Sequence, residues 1–165
     1  MQIPRRKSDA LKIWDNGPIH LTEEAFKRMQ DKLVRLKYDL PELIAEAQRT
    51  AAFGDRSDSA EYKEAKSILR RTHRQILSIK DQIKRVVIIK PGTNSAGTVQ
   101  LGSTVLLEAE DGTQRTFLIL GKRETNPTEG RISNESPLGA SLMNRVRGDI
   151  VGGNGFRKYR ILEVR

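Results

Sequence analysis

The sequence predicts an α+β protein in which a long antiparallel helical hairpin, a coiled coil, precedes a small, mainly antiparallel sheet domain with one short helix. Three observations predict this fold. Apolar residues recur at alternating spacings of three and four through residues 26–86. The turn-forming run KPGTNSAG follows at residues 90–97. Beyond it, short β-strand patterns alternate with glycine-containing turns.

The hairpin is predicted from two heptad seams. Thr22 is a favourable N-cap for the first helix, and Pro41 is expected to kink it. The second helix is predicted from Asp58 to Val87. Two apolar seams so close in sequence must fold back on each other. The seam residues are Phe26, Met29, Leu33, Leu36, Leu40, Leu43 and Ala47, then Tyr62, Ala65, Leu69, Thr72, Ile76, Ile79, Ile83 and Val86.

The chain is predicted to have four parts. Residues 1–18 are a basic extension, expected to be flexible because of its Pro and Gly residues. Residues 19–90 form the hairpin domain, with an acidic tip at 54–61. Residues 91–97 are a linker, and residues 98–165 form the sheet domain.

Within the sheet domain, turn residues separate the predicted elements. Asp111-Gly112 indicates a hairpin, and Ser136-Pro137 indicates an N-cap followed by the first residue of a helix. The predicted elements are strands at 103–109 and 114–120, a helix through Met143, and strands at 149–151 and 156–164.

Composition restricts the function. The net charge of +9 indicates a polyanionic environment, and residues 66–90 carry eight Lys and Arg against Asp81 alone. A solvated helix face is the simpler explanation, but the density favours a surface that faces a polyanion. The absence of cysteine excludes disulfide scaffolds, Cys-ligated zinc and thiol catalysis. The same absence fits a reducing cytoplasm, where we expect the protein to be. No apolar run approaches the roughly 18 residues of a membrane-spanning helix, so we expect no membrane contact.

Carboxylates cluster at the predicted tip. Asp55, Asp58 and Glu61 are spaced by three, so Asp58 and Glu61 share a helix face. Mg²⁺ takes one or two protein carboxylates together with water and substrate phosphate. The tip could therefore help to hold an ion that another molecule already binds. A capping box formed by Asp58 and Glu61 is the structural alternative.

The tip string Gly-Asp-Arg-Ser-Asp-Ser-Ala-Glu-Tyr at 54–62 resembles that of the bacterial transcript cleavage factors GreA and GreB. Arg56 is closer to the GreB version. The resemblance spans residues 20–165. It also includes Leu21-Thr22-Glu23-Glu24-Ala25, Pro41-Glu42, Ala60-Glu61-Tyr62 with Ala65-Lys66, Gly102-Ser103 with Val105, Ser136-Pro137-Leu138 and Gly148-Asp149.

This resemblance implies a mechanism. The hairpin would enter the secondary channel of bacterial RNA polymerase, while an FKBP-like C-terminal domain docks at the channel rim. The tip would help to hold the second catalytic Mg²⁺, shared with the polymerase and not bound stably alone, so that the polymerase cleaves its own backtracked RNA. The protein would act as a monomer and not be an enzyme itself.

The resemblance assigns roles to three groups of residues. The tip acids Asp55, Asp58 and Glu61 would be catalytic, with Asp55 and Asp58 as metal ligands. The basic residues behind the tip would contact the RNA 3′ segment. The start of the short helix would dock on the polymerase. The RNA-contacting residues are Lys66, Arg70, Arg71 and Arg74, and the docking residues are Glu135, Ser136, Pro137 and Leu138.

Departures from the family pattern leave alternatives open. Asp58 and Ser59 stand where Glu and Asn are usual, and Asp is shorter by roughly 1.5 Å. The protein could therefore occupy the channel as a non-catalytic regulator or inhibitor. Residues 132–135 also differ from the usual pattern at the docking contact. A prolyl isomerase or a coiled-coil nucleic-acid binder is more remote, since the sheet domain offers few aromatic residues for a pocket.

Overall fold

The computed structural model describes residues 17–52, 60–92, 97–153 and 156–165. Its first half is a helical hairpin closed by a two-stranded sheet. Strand β1 (Ile19–Thr22) leads into helix α1 (Glu23–Ala52), and helix α2 (Ala60–Lys84) leads into strand β2 (Val86–Ile89). The strands pair in parallel, from Ile19 opposite Val86 to Thr22 opposite Ile89. The beginning of α1 and the end of α2, which form the base of the hairpin, are therefore held together.

The two helices pack along the predicted seam. Every seam residue of α1 is partly buried, and in α2 the seam residues Thr72, Ile76 and Ile79 are buried. Most of the seam stays partly exposed because each helix covers only one side of the other. The 30 residues of α1 correspond to about 45 Å at 1.5 Å per residue. Pro41 lies inside α1, which continues across it.

The prediction that the second helix extends to Val87 was wrong. α2 ends at Lys84, and residues 86–89 form β2 instead. This run consists of β-branched residues, whose side chains are restricted in a helix and pack well on a sheet. Val86, the last predicted seam residue, packs from the strand against the buried cluster of Ile19, Leu21 and Ala25. The partner strand β1 was not predicted.

The second half is a five-stranded sheet with the strand order β5-β4-β3-β7-β6. All neighbouring strands are antiparallel except β4 and β5, which are parallel. A 3₁₀ turn at Pro127–Glu129 precedes β5, and helix α3 (Pro137–Leu142) follows it. The strands are β3 (Thr104–Ala109), β4 (Gln114–Leu120), β5 (Arg131–Ser133), β6 (Ile150–Gly153) and β7 (Phe156–Val164).

The α+β fold class is confirmed, and the predicted strands and short helix of the sheet domain are found with small shifts at their ends. Strand β5 was not predicted, because three residues in a parallel pair leave little periodicity in the sequence. The core of this half is a single apolar cluster. It consists of Val99, Val105, Leu107, Ile119, Ile132, Leu142, Val151 and Ile161.

Among the residues that the structure describes, no helix combines the length and apolar character needed to cross a membrane.

The seam can be tested with two neighbouring residues. Ile76 is 6% exposed on the packed face of α2, and Leu77 is 65% exposed beside it. Ile76→Ala should lower the free energy of unfolding by about 2–5 kcal/mol, because it removes buried methyl groups and leaves a void. Leu77→Ala should change it by no more than about 0.5 kcal/mol. Urea unfolding followed by circular dichroism at 222 nm measures both. If both variants lost the same free energy of unfolding, Ile76 would not be packed in the seam between the helices.

Candidate functional site

The acidic tip lies where the two helices join. α1 ends at Ala52 and α2 begins at Ala60, and Asp55 and Asp58 belong to the joining segment, outside the described residues. Their predicted roles and the capping alternative at Asp58 therefore stay predictions. Glu61 is described and lies exposed in the first turn of α2.

The tip offers three carboxylates, of which only Glu61 lies among the described residues. Within residues 17–52, 60–92, 97–153 and 156–165, acidic and His side chains form no group of three or more that could hold a metal ion. Asp55, Asp58 and Glu61 offer hard carboxylate oxygens, the ligand type that Mg²⁺ prefers. The residue types at the tip are therefore compatible with Mg²⁺, and a site shared with another molecule stays a prediction.

A cationic surface lies behind the tip on α2. Arg70, Arg71 and Arg74 are all exposed, and Arg70 and Arg74 are one helical turn apart on the same face. In the described part of the chain, no carboxylate forms a salt bridge with any of these three. They begin about 15 Å along α2 from Ala60, at 1.5 Å per residue. These three guanidinium groups are available to an external anion.

Lys66 differs from the three arginines. It is partly buried, and its ammonium group donates to the Tyr62 hydroxyl at 3.2 Å. The same nitrogen lies 5.1 Å from the centre of the Tyr62 ring, within range of a cation–π interaction. Lys66 therefore packs over Tyr62 close to the tip. An anion that binds the Lys66 ammonium group would compete with its interaction with the Tyr62 ring.

The predicted docking residues surround the start of α3. The Ser136 hydroxyl accepts the Gly139 N–H at 3.1 Å and donates to the Ser133 carbonyl at 2.6 Å, so Ser136 is the N-cap. Gly139 is required there, because a Cβ would overlap the Ser133 carbonyl oxygen. The cap and this close approach hold α3 against the end of β5.

The four predicted docking residues are not equally exposed to a partner. Glu135 and Pro137 are exposed, and Glu135 lies 3.7 Å from the Lys122 ammonium. Ser136 is partly buried, and Leu138 packs against the core of the sheet domain. A partner that docks here would therefore contact Glu135 and Pro137, while Ser136 and Leu138 support them from beneath.

Two carboxyl groups of the sheet domain have a lowered pKa, each for a local reason. Hydrogen bonding from Thr113, including its backbone N–H at 2.9 Å, holds the pKa of Asp111 below its ordinary value. The Arg165 guanidinium, 2.7 Å from Glu163, lowers the pKa of that carboxyl. These contacts belong to the β3–β4 turn and the end of β7, away from the predicted site residues.

Sequence reasoning missed Glu124, whose side chain is only 4% exposed. One carboxylate oxygen accepts the Thr22 N–H and the other accepts the Thr22 hydroxyl, each at 2.6 Å. A single Glu in a loop gives no signal in the sequence, since its partner lies at the base of the hairpin. Glu124 connects the two halves of the protein.

Comparison with known proteins identifies the class. Residues 19–88 match the family model described as "Transcription elongation factor, N-terminal", and residues 94–165 match "Transcription elongation factor, GreA/GreB, C-term". The chain belongs to the GreA/GreB family of transcription elongation factors.

Relatives align over most of the chain. The GreA of Chloroflexus aggregans is 38% identical, covering 90% of this chain and 98% of that protein. The GreA of Clostridioides difficile is 33% identical, covering 92% and 98%. Among solved structures, GreA factor homolog 1 of Thermus thermophilus is 27% identical, covering 90% and 99%, with a TM-score of 0.41. The relatives from Chloroflexus aggregans and Clostridioides difficile are both GreA proteins, so the GreB-like character of Arg56 stays a prediction.

Proposed function

We propose that this elongation factor acts on bacterial RNA polymerase, placing its hairpin in the secondary channel and stimulating the polymerase to cleave backtracked RNA. The observation that carries the proposal is the long, slender hairpin of a GreA/GreB family member, with acidic residues in the segment that joins its helices. A helix pair of about 45 Å can carry these acids far from the sheet domain.

The proposed role of the tip is to complete a metal site. Asp55 and Asp58 would supply oxygen ligands to a Mg²⁺ ion that the polymerase also holds, with Glu61 beside them. Such an ion, when bound, lowers the pKa of water and stabilises charge on a phosphate oxygen. The contribution of this chain is to bring and orient carboxylates. The chain is then an activator of the polymerase and not itself an enzyme.

The proposed role of the cationic surface is to hold the displaced RNA. Arg70, Arg71 and Arg74 are exposed and lack carboxylate partners among the described residues, so they can meet phosphates without first breaking a salt bridge. Contacts of this kind add affinity without sequence preference, and salt weakens them. They suit an RNA 3′ segment of any sequence.

The proposed role of the sheet domain is to tether the hairpin. Two or three carboxylates bind a shared ion weakly, so the tip depends on a second contact to stay in place. Docking through Glu135 and Pro137 at the channel rim would raise the effective concentration of the tip inside the channel. The protein would act as a monomer.

A second function is favoured by the tip sequence. Asp58 and Ser59 replace the usual Glu and Asn, and a shorter carboxylate can fail to complete the metal geometry. The protein would then occupy the channel and restrain the polymerase without stimulating cleavage. Asp58→Glu separates the two functions, since it should convert a restraining factor into a stimulating one but change a stimulating factor little.

Asp55 is the direct test of the metal role. In a stalled, backtracked elongation complex, the wild-type protein should accelerate cleavage of the RNA 3′ segment. Asp55→Ala should remove most of that acceleration, while affinity for the polymerase stays within a few-fold, because only a metal ligand is lost. Asp39→Ala removes an exposed carboxylate from α1 and serves as the matched control. Wild-type cleavage by Asp55→Ala would contradict the metal role.

The cationic surface can be tested by charge reversal. The double variant Arg70→Glu, Arg74→Glu should weaken crosslinking to the RNA 3′ segment by about tenfold or more, since two phosphate contacts become repulsive. Raising the salt concentration should likewise lower the crosslinking yield of the wild-type protein. Lys80→Glu, exposed on a different face of α2, is the control. If the Arg70→Glu, Arg74→Glu double variant crosslinks to the RNA as well as the Lys80→Glu control, the cationic surface does not contact the RNA.

Docking can be tested at Pro137, which is exposed at the first position of α3. Pro137→Glu should preserve the helix, because acidic residues are favourable in its first turn. It should raise the concentration needed for half-maximal cleavage and leave the rate at saturation unchanged. Ala140→Glu, also exposed on α3, is the comparison. A lower saturated rate with unchanged affinity would show that this surface does not dock.

A further inference from the structure

The loop after β4 contacts the hairpin at three separate places. Gly121 meets β1, Arg123 meets α2, and Glu124 meets the start of α1. We refer to residues 121–124 as the junction loop. Contact with both helices and with the strand that leads into α1 fixes a rigid body more completely than one contact could.

Glu124 is the buried part of this junction. Its carboxylate accepts two hydrogen bonds of 2.6 Å from Thr22, and Arg28 lies 3.9 Å away. Thr22 also accepts the Ala25 N–H at 3.3 Å, so it caps the N-terminus of α1, where a negative charge is favourable. A buried carboxylate is costly unless both oxygens are bonded. Both are bonded here only while the hairpin keeps its present direction.

Steric contact restricts the junction on the other side. A Cβ on Gly121 would overlap the His20 carbonyl oxygen, so the two backbones approach as closely as glycine permits. Arg123 donates to the Gln82 side-chain oxygen at 2.6 Å and so contacts the end of α2. The hairpin cannot move closer to the loop without a steric clash at Gly121. It cannot tilt away without breaking the hydrogen bonds of Arg123 and Glu124.

The junction loop is also connected to the docking residues. Lys122 faces Glu135 at 3.7 Å, immediately before α3. A small cavity of about 50 Å³ lies between these two residues, the His20 region and Asn134. The residues that would dock on the polymerase and those that hold the hairpin therefore share one short stretch of structure.

We propose that the junction loop is a rigid joint that sets the direction of the hairpin relative to α3, with Glu124 as its positioning residue. The inference rests on the proposed function. A tilt of about 10° at the base moves the far end of a helix of about 45 Å by roughly 8 Å. Displacements of about 1 Å can already cost about a hundredfold in catalysis. A tip that adds ligands to a shared ion therefore depends on this joint.

The joint can be measured in the free protein without any activity. Because the chain has no cysteine, spin labels can be placed by Gln48→Cys near the end of α1 and Gln114→Cys on β4. Pulsed electron–electron distance measurements should give one narrow distribution for the wild-type background. Glu124→Gln, which leaves a neutral buried amide, and Gly121→Ala, which forces the backbones apart, should each broaden or shift it by several ångströms.

Matched variants separate positioning from folding. Glu129→Gln alters an exposed acid of the neighbouring 3₁₀ turn and should leave the distribution unchanged. Thr22→Ser keeps both donors to Glu124 and should also leave it unchanged. Helix content, followed by circular dichroism, should be the same in all variants. Unchanged distributions in both Glu124→Gln and Gly121→Ala would overturn the proposal.

The cleavage assay gives a second and distinct readout. Glu124→Gln should lower the saturated cleavage rate at least tenfold, whereas its half-maximal concentration should change less than about threefold. A rate equal to that of wild type, from a variant whose distance has shifted, would overturn the positioning role. If the wild-type protein does not stimulate cleavage, the proposed function fails, and the distance measurements alone decide whether the joint is rigid.

Discussion

The parallel pairing of Ile19–Thr22 with Val86–Ile89 is the constraint on which the rest of the structure depends. It ties the beginning of α1 to the end of α2, so that the two helices leave the sheet domain together. Helix pairs in water gain most of their stability from the apolar seam between them. Here the seam is buried most deeply in the middle and at the base of α2, near the strand pair. The residues at the far end of the hairpin are thus less needed for core packing.

The junction extends that constraint into the sheet domain. Glu124 accepts both of its short hydrogen bonds from Thr22, the residue at which β1 ends and α1 is capped. Gly102 lies against Ile89 and Lys90 in the same way that Gly121 lies against His20. The two halves therefore meet through backbone approaches and a buried carboxylate, contacts that are specific in direction. Apolar surface alone would permit sliding.

Much of the fold follows from local sequence. The heptad spacing identified the residues that are buried between the helices, and Ser136-Pro137 located α3 to within a residue. The failures have a common cause. At Val86 the seam reaches its last residue and the helix was expected to run on to Val87, but pairing of residues 86–89 with a distant strand decides in favour of β structure. Strand β5 and the role of Glu124 depend equally on distant partners. Of the site, the exposed arginines lie on α2 and Pro137 begins α3, as the sequence predicts, but their roles stay predictions, and Asp55 and Asp58 lie outside the described residues.

The central claim is that the far end of the hairpin reaches the 3′ end of backtracked RNA inside the polymerase. A photoreactive nucleotide at that 3′ end, in a backtracked complex saturated with this protein, tests it most directly. The account predicts crosslinks to the joining segment and the first turns of α2, within residues 53–74, and none to residues 98–165. Crosslinks to the sheet domain, or none to this chain at saturation, would contradict it.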